Sequence, residues 1–559
     1  MNLNKIISKI SSKFKSNWKS GLTVAMFSFP LSIAIAVASG TSPIQGVITG
    51  IVASTIASIF GGSNYNIIGV TGSITIVLLT FSIQFGAVYF PLISIVAGLF
   101  IYLIYLFILE KYLVYIPSSV MYGFSAGVAI QIVFSQINDI LGLLLPVEES
   151  IFHNLIETFR FVNDINYISL LLFSLFLFLL FLIKKIKPSV PSIIPVTLIG
   201  VLLGYIMESN DSIEYMTTSL QEKLSSSESI KLISGFNLDL IIESLQDYDL
   251  IKAIVLTGII IAFIATLETL ITAKIADKMT KTRFNSRKEM FALGLANIGS
   301  GIFGGFPVAA GYMETGLNIK TGANHRMSQI IDSISTLIIS VILFNNFQYI
   351  SISVLSAILV YIALGLIEFE KFELYWKNDK KNFVVAVVVA LIVIIFDASV
   401  GILVGISMAL LLFVDKLSKG EFVINFNSNK KIIECEYGSC LVLPNQNIDV
   451  VVYSIEGILV YLDSEAHLDN FKKISKIKTL KTVIIRMRDV FYLDLDGMEI
   501  LEEIIELLQD NDIEVILTRP SKSVSKILVK SELYQKLRKT GFVFEKTELA
   551  LAYLGFSDE

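Results

Sequence analysis

Glu268 is the one charged residue in the run from Ile254 to Ala273. About 20 mostly apolar residues are enough to span a bilayer. An ionised side chain at that depth costs several kcal/mol, so it is rarely left without a partner. Thr272 follows four residues later and shares a helical face with it. A carboxylate beside a hydroxyl offers hard oxygen ligands to one small cation. Sodium or a proton bound there implies a cation-coupled carrier; the competing reading is a protonated glutamate hydrogen-bonded between helices. A second acid, Glu314, falls in a short polar-rich segment; it either faces the substrate path, or lines a cytoplasmic vestibule or pairs with Lys320. Thr71, Ser73 and Thr75 offer hydroxyls to a site or bond only to their own helix carbonyls. Tyr312 either caps a bound anion or fills a crossing point, and Pro30 is expected to break the first span and free carbonyls.

The elements that must position these groups are membrane helices. The chain has 559 residues, 54% hydrophobic and 17% charged, with mean hydropathy +0.72, whereas a soluble chain is nearer a quarter charged. Fourteen apolar segments fill residues 20–416, and two of them, 66–82 and 309–319, are short and rich in glycine or polar residues. With the N-terminus inside, the basic stretches Lys184–Lys187, Lys274–Lys288 and Lys377–Lys381 fall on the cytoplasmic side, as does the C-terminus. Ile59-Phe-Gly-Gly62 recurs as Ile302-Phe-Gly-Gly305, each copy ahead of a short segment. The copies are seven segments apart, an odd number, so the halves 20–207 and 251–416 would be inverted repeats, 7+7. Paired interrupted helices in such repeats place a substrate site near the midplane, where half-helix N-termini offer free N–H groups to an anion.

Other classes fall away. The net charge of -5 says little, because the charges are concentrated in loops and at the C-terminal end, but no basic patch suits nucleic acid as a partner. Cys435 and Cys440 have no nearby histidine and fall short of a zinc set. His153, His325 and His467 are scattered, and no nucleophile–base pair appears, so an enzyme is not expected, nor a cofactor beyond a coupling ion. Residues 1–19, with Lys5, Lys9, Lys13, Lys15 and Lys19, read as a retained cytoplasmic amphipathic leader; the apolar stretch after it lacks a clear signal cleavage site. Asp397 reads as a helix-end charge. Residues 417–447 read as a polar connector with short strands. Residues 448–559 read as a cytoplasmic α/β domain, with strands at Val450–Tyr453, Gly457–Leu462, Thr482–Met487 and Ile513–Thr518 and helices at Met498–Leu508 and Val524–Leu537.

Several motifs resemble the SulP (sulfate permease) family of anion transporters with a C-terminal STAS domain. The most specific run from Glu268 through Ala276-Asp-Lys-Met-Thr280 to Asn285-Ser286, Gly294-Leu-Ala-Asn297, Phe303-Gly-Gly305 and Asn318. The first half adds Pro30, Ala38-Ser-Gly40, Phe60-Gly-Gly62 and Gly69-Val-Thr-Gly72. Phe491-Tyr-Leu-Asp-Leu-Asp-Gly497, with Asp494, Asp496 and Gly497, is like the STAS loop before its first helix. Val37-Ala-Ser-Gly40, Thr71-Gly72 and Met313-x-Thr315 look closest to the sodium-dependent bicarbonate transporters of cyanobacteria. The resemblance implies core and gate helix bundles with elevator-like movement, sodium at Glu268, Thr272 and the backbone of Ala310, Gly311 and Tyr312, and the anion near Thr71, Gly72, Ser73, Gly311 and Tyr312. It also implies a STAS-assisted homodimer in the inner or plasma membrane. Many members carry arginine at position 314; the glutamate here favours symport over uncoupled anion flow. Leu31 replaces a frequent glutamine, and Leu495 stands where some STAS relatives have a phosphorylated serine. Bicarbonate is the first substrate expected. Sulfate or a dicarboxylate moved with protons, an uncoupled anion channel, and a membrane sensor with STAS output are the alternatives.

Overall fold

The computed structural model describes residues 3–113, 117–143, 145, 151–188, 190–208, 218–220, 247–396, 398–417, 421–428, 431–435 and 448–556. Asp397 and Cys440 lie outside them. The chain divides into two compact units, Met1–Ala409 and Leu410–Glu559.

In the first unit every one of the fourteen apolar segments carries a helix. α1 (Leu3–Ala38) and α2 (Pro43–Phe60) are followed by a two-residue strand β1 (Ile68–Gly69) and α3 (Gly72–Phe85). Then come α4 (Phe90–Leu106), α5 (Ser118–Ser135), α6 (Tyr167–Ile186) and α7 (Ile193–Glu208). The chain continues with α8 (Tyr248–Thr280), α9 (Ser286–Ile302), strand β2 (Ala309–Ala310), α10 (Tyr312–Lys320), α11 (Met327–Phe347) and α12 (Ile352–Leu366). An amphipathic helix α13 (Phe369–Asn378) precedes α14 (Lys380–Ile395) and α15 (Ala398–Leu417). Among the described residues, eight helices are long and apolar enough to cross a membrane, and three shorter apolar helices join them. α6 leaves Tyr167, Leu171 and Phe178 more than half exposed. Apolar exposure on that scale suits lipid contact.

One expectation about α1 changes. The leader and the first span are one continuous helix, and Pro30 does not break it. Proline removes a single i→i−4 bond, and the turns on both sides are buried at Phe29, Leu31, Ile33 and Ala34. Packing therefore holds the helix through the gap.

β1 and β2 cross as an antiparallel pair, Ile68 opposite Ala310 and Gly69 opposite Ala309. Both segments are non-helical inside an apolar body, so their backbone groups need partners other than water. Side chains from three helices supply them. Thr49 accepts from the Phe306 N–H at 3.0 Å and Ser300 donates to the Phe306 carbonyl at 2.7 Å. Asn297 bonds both backbone groups of Val308. Asn318 donates to the Tyr65 carbonyl at 2.9 Å. Pro307 needs no N–H partner, and it biases Phe306 away from helix.

The second unit is a six-stranded sheet of order β4-β3-β5-β6-β7-β8. Its strands are β3 (Glu421–Ser428), β4 (Lys431–Cys435), β5 (Val450–Leu459), β6 (Thr482–Leu493), β7 (Glu514–Thr518) and β8 (Val543–Phe544). Its helices are α16 (Tyr461–Ile474), α17 (Leu495–Asp510), α18 (Lys522–Leu528), α19 (Glu532–Lys539) and α20 (Thr547–Tyr553). β5 to β8 pair in parallel, and β3 joins antiparallel to β5. The short strands expected in the connector thus belong to this sheet. The two strands expected across 450–462 are one, because the ladder continues through a register shift at Gly457, whose φ is +84°. The helix expected over Val524–Leu537 is two, the second capped by Ser531. The Asp494 loop opens the second helix of the unit rather than the first, because α16 precedes it.

Candidate functional site

Glu268 lies two-thirds of the way along α8. Its carboxylate accepts from the Ser73 hydroxyl in a short hydrogen bond and from Thr71 at 3.3 Å. Thr71 is the N-cap of α3 and Ser73 lies in its first turn, so the acid sits against the N-terminus of that half-helix. An α-helix carries a partial positive charge there. Thr75 bonds back to the Thr71 carbonyl, the own-helix alternative.

One and four residues beyond Glu268, α8 turns to the other crossing. Thr269 accepts from the Ala310 N–H at 3.1 Å, and the Thr272 hydroxyl lies 3.5 Å from the Ala310 carbonyl. Glu268 and Thr272 share a helix face, as their spacing requires, yet each holds a different half-helix segment. The carboxylate, the Thr272 hydroxyl and the Ala310 carbonyl are all oxygens, the donor type a small hard cation takes.

Gly311, the N-cap of α10, spends its own N–H on the Ile67 carbonyl at 2.8 Å. The free donors of α10 are therefore those of its first turn, beginning at Tyr312. Glu314 is buried and folds back over this turn, its carboxylate against Gly311. A Cβ on Gly311 would lie 2.2 Å from its Oε2, so only glycine leaves the carboxylate room. Glu314 forms no ion pair with Lys320: the two lie in the first and last turns of α10, and Lys320 is exposed. Each half-helix N-terminus thus holds a protein carboxylate, Glu268 at α3 and Glu314 at α10.

A cavity of about 680 Å³ reaches this place. Thr272 and Tyr312 line it, and its charged lining residues are Lys184 and Lys320, both positive. Tyr312 is 41% exposed and faces the opening rather than filling the crossing. Pro30 is buried within α1 and makes no hydrogen bond to the Glu268 cluster among the described residues.

The sequence reading missed a buried polar set beside the site. Glu289 on α9 accepts from the Gly62 and Ser63 N–H groups at 2.7 and 2.8 Å and from the Asn66 amide at 2.8 Å. Thr315 accepts from the Ile67 N–H at 3.0 Å and donates to Asn66 at 3.4 Å. The glycine repeat was its only visible signal. A Cβ on Gly62 would lie 2.0 Å from the Asn285 carbonyl, so the first copy of the repeat marks where α9 begins against the turn after α2.

In the second unit Asp494 caps α17 by accepting from the Gly497 N–H at 2.7 Å. A Cβ on Gly497 would lie 2.3 Å from the Leu459 carbonyl, and Asp496 is exposed.

Residues 14–389 match the sulfate permease family and residues 443–550 the STAS domain. The putative sulfate transporter YvdB of Bacillus subtilis (strain 168) is 26% identical over 496 residues, 88% of this chain and 89% of that protein. Murine solute carrier 26 family member A9, an anion transporter solved in the inward-facing state, superposes with TM-score 0.79 at 15% identity, covering 97% of this chain and 91% of that one. The transmembrane domain of a cyanobacterial bicarbonate transporter, BicA, gives 0.60 at 21% identity, covering 71% and 97%. At these identities the two solved structures speak to fold alone. The match over residues 14–389, with the STAS match after it, makes this chain a multi-pass membrane protein of the sulfate permease family of anion transporters.

Proposed function

We propose that the chain is a cation-coupled anion symporter, with sodium as the coupling ion and bicarbonate as the first substrate. One observation carries this reading: the Glu268 carboxylate occupies the hydroxyls and N-terminus of α3, where a substrate anion would sit. A cation held by Glu268, Thr272 and the Ala310 carbonyl draws the carboxylate off Ser73 and cancels its charge. The α3 N-terminus, with Thr71, Gly72 and Ser73, is then open to the anion, with Gly311 and Tyr312 at the start of α10 beside it. Fourteen crossings in a 7+7 inverted arrangement, residues 20–207 and 251–416, fit the matching order of helix, strand and half-helix in the two halves. On this reading residues 1–19 form a cytoplasmic leader, both termini are cytoplasmic, and the core bundle moves against a gate bundle as an elevator. Residues 417–447 link to the STAS domain at 448–559, which assists a homodimer. Bicarbonate rests on the Val37–Gly40, Thr71-Gly72 and Met313-x-Thr315 motifs. Sulfate is the second reading, favoured by the name of the B. subtilis relative.

Uptake of labelled bicarbonate and sulfate into proteoliposomes, with and without a sodium gradient, separates these readings. Glu268→Gln should abolish sodium-driven uptake. Full sodium-driven uptake by that variant sinks the coupling proposal, and a wild-type current that persists without sodium or a proton gradient points to an uncoupled channel.

A further inference from the structure

Asn66 is 3% exposed and touches three helices that meet at the crossing. Its amide nitrogen donates to Glu289 on α9 at 2.8 Å and to the Thr269 carbonyl on α8 at 3.5 Å. Its oxygen accepts from Thr315 on α10 at 3.4 Å. Its own chain continues directly into β1 and α3. Glu289 sets this orientation: its other oxygen is filled by two backbone N–H groups, so it presents only an acceptor to Asn66. Thr315, its hydroxyl hydrogen given to Asn66, offers its lone pair to the Ile67 N–H, and the Ile67 carbonyl in turn accepts from Gly311. Each group has one workable polarity, and the direction starts at Glu289.

We propose that Asn66, oriented by Glu289, is the positioning residue that sets the register between the N-termini of α3 and α10. Neither side chain touches the transported ion. They act through Thr315 and the β1–β2 pair, which fix where two N-termini converge on one anion. The idea rests on the anion-transport reading for its uptake readout only.

The test reverses the polarity of the chain. In Glu289→Gln the oxygen keeps the two backbone N–H groups and an NH₂ faces the Asn66 NH₂. A flip of Asn66 would turn its NH₂ toward the Thr315 hydroxyl, whose hydrogen then loses its acceptor. In Asn66→Asp two carboxylates face each other. The pair Glu289→Gln/Asn66→Asp restores a donor opposite an acceptor, still accepts from Thr315 and keeps the net charge; it gives up only the long 3.5 Å donation to the Thr269 carbonyl. Two readouts are taken on the full chain: hydrogen exchange of the amides at 65–70 and 309–312, and KM for bicarbonate and sulfate in proteoliposomes.

Each single variant should speed exchange in both segments, although position 289 lies in neither, and raise KM about tenfold, the loss of one charge-assisted bond. The double variant should recover protection and bring KM back to within about threefold of wild type, as coupled neighbours do. Unchanged exchange in Glu289→Gln overturns the proposal. So does a double variant as impaired as the singles combined. Faster exchange with KM unchanged would make the set structural only, and also refutes it. If the singles do not accumulate, recovery of folded protein in the double variant supports the proposal and its failure refutes it. A wild type that carries neither anion counts against the substrate reading, while exchange still decides this one.

Discussion

Thr269 and Thr272 lie three residues apart on α8 and face the same residue, Ala310, one at its N–H and the other at its carbonyl. Their replacement by valine, of the same shape, should have opposite consequences. Thr269 is fully buried and accepts at 3.1 Å from an N–H that has no water to turn to. Thr269→Val leaves that donor unpaired, which costs about 1–3 kcal/mol. The Thr272 contact, at 3.5 Å, is at the far end of hydrogen-bond range and leaves behind a carbonyl, which tolerates the loss better. Thr272→Val should therefore cost under about 1 kcal/mol of stability. What it removes is a cation ligand. A tenfold weaker Kd corresponds to about 1.4 kcal/mol, and a bound ligand stabilises the fold in proportion to its occupancy. Thermal melting of the purified protein across a sodium titration reads both terms. Thr269→Val should melt earlier at every sodium concentration and still gain from added sodium. Thr272→Val should melt near wild type without sodium and lose most of the gain. If Thr272→Val responds to sodium as the wild type does, it is not a ligand. If Thr269→Val is thermally silent, the backbone accounting at the crossing is wrong.

Gly62→Ala places its methyl 2.0 Å from the Asn285 carbonyl, whereas Gly69→Ala meets nothing within 4 Å; the first should lose about 1–3 kcal/mol or more to overpacking and the second almost nothing in a melting comparison. His325, in the loop before α11, touches Lys13 at 2.7 Å, and burial first, then Lys13 and Arg326, hold its imidazole below the usual range. A folded pKa below the unfolded value means stability present above about pH 6.5 and lost as pH falls through the folded value, so the protection of the 318–328 amides, relative to their intrinsic exchange rate at each pH, should fall in acid and His325→Gln should flatten that dependence. In the second unit, Gly497→Ala crowds the Leu459 carbonyl and disturbs the Asp494 cap, so α17 amides should lose protection by more than the roughly 1 kcal/mol that removing the cap alone through Asp494→Ala would cost.

Segment length and hydropathy made the helices readable, and a lone acid in an apolar run made Glu268 readable, because both are local signals. The Glu289 set was not. Its residue sits directly after Arg287 and Lys288, where a charge looks solvated, and its partner Asn66 is 223 residues away. Nothing in periodicity reports a contact of that range. Pro30 misled for the opposite reason: the local rule was right about one missing hydrogen bond, but packing on both sides of it decided the outcome. At Gly457 a glycine read as a strand end is a bulge, since the parallel neighbour β6 carries the ladder past it.

The placement of two acids bears on what the carrier must bring with its anion. A helix N-terminus presents about half an elementary charge, so α3 and α10 together offer about one. Glu268 and Glu314, both ionised, would exceed it, and an arriving anion would face net negative charge at the place meant to hold it. At about 5 Å with an effective dielectric near 20, each unit charge repels the anion by about 3 kcal/mol, roughly a hundredfold in affinity. One cation at Glu268 removes that term and frees the Ser73 and Thr71 hydroxyls in the same step, so charge and donors become available together. Sodium and a proton both satisfy this arithmetic, but only sodium also uses the Thr272 hydroxyl and the Ala310 carbonyl. Loss of sodium dependence in Thr272→Val, with Glu268 intact, would therefore identify sodium as the ion, and a pH-driven wild type indifferent to that substitution would identify the proton.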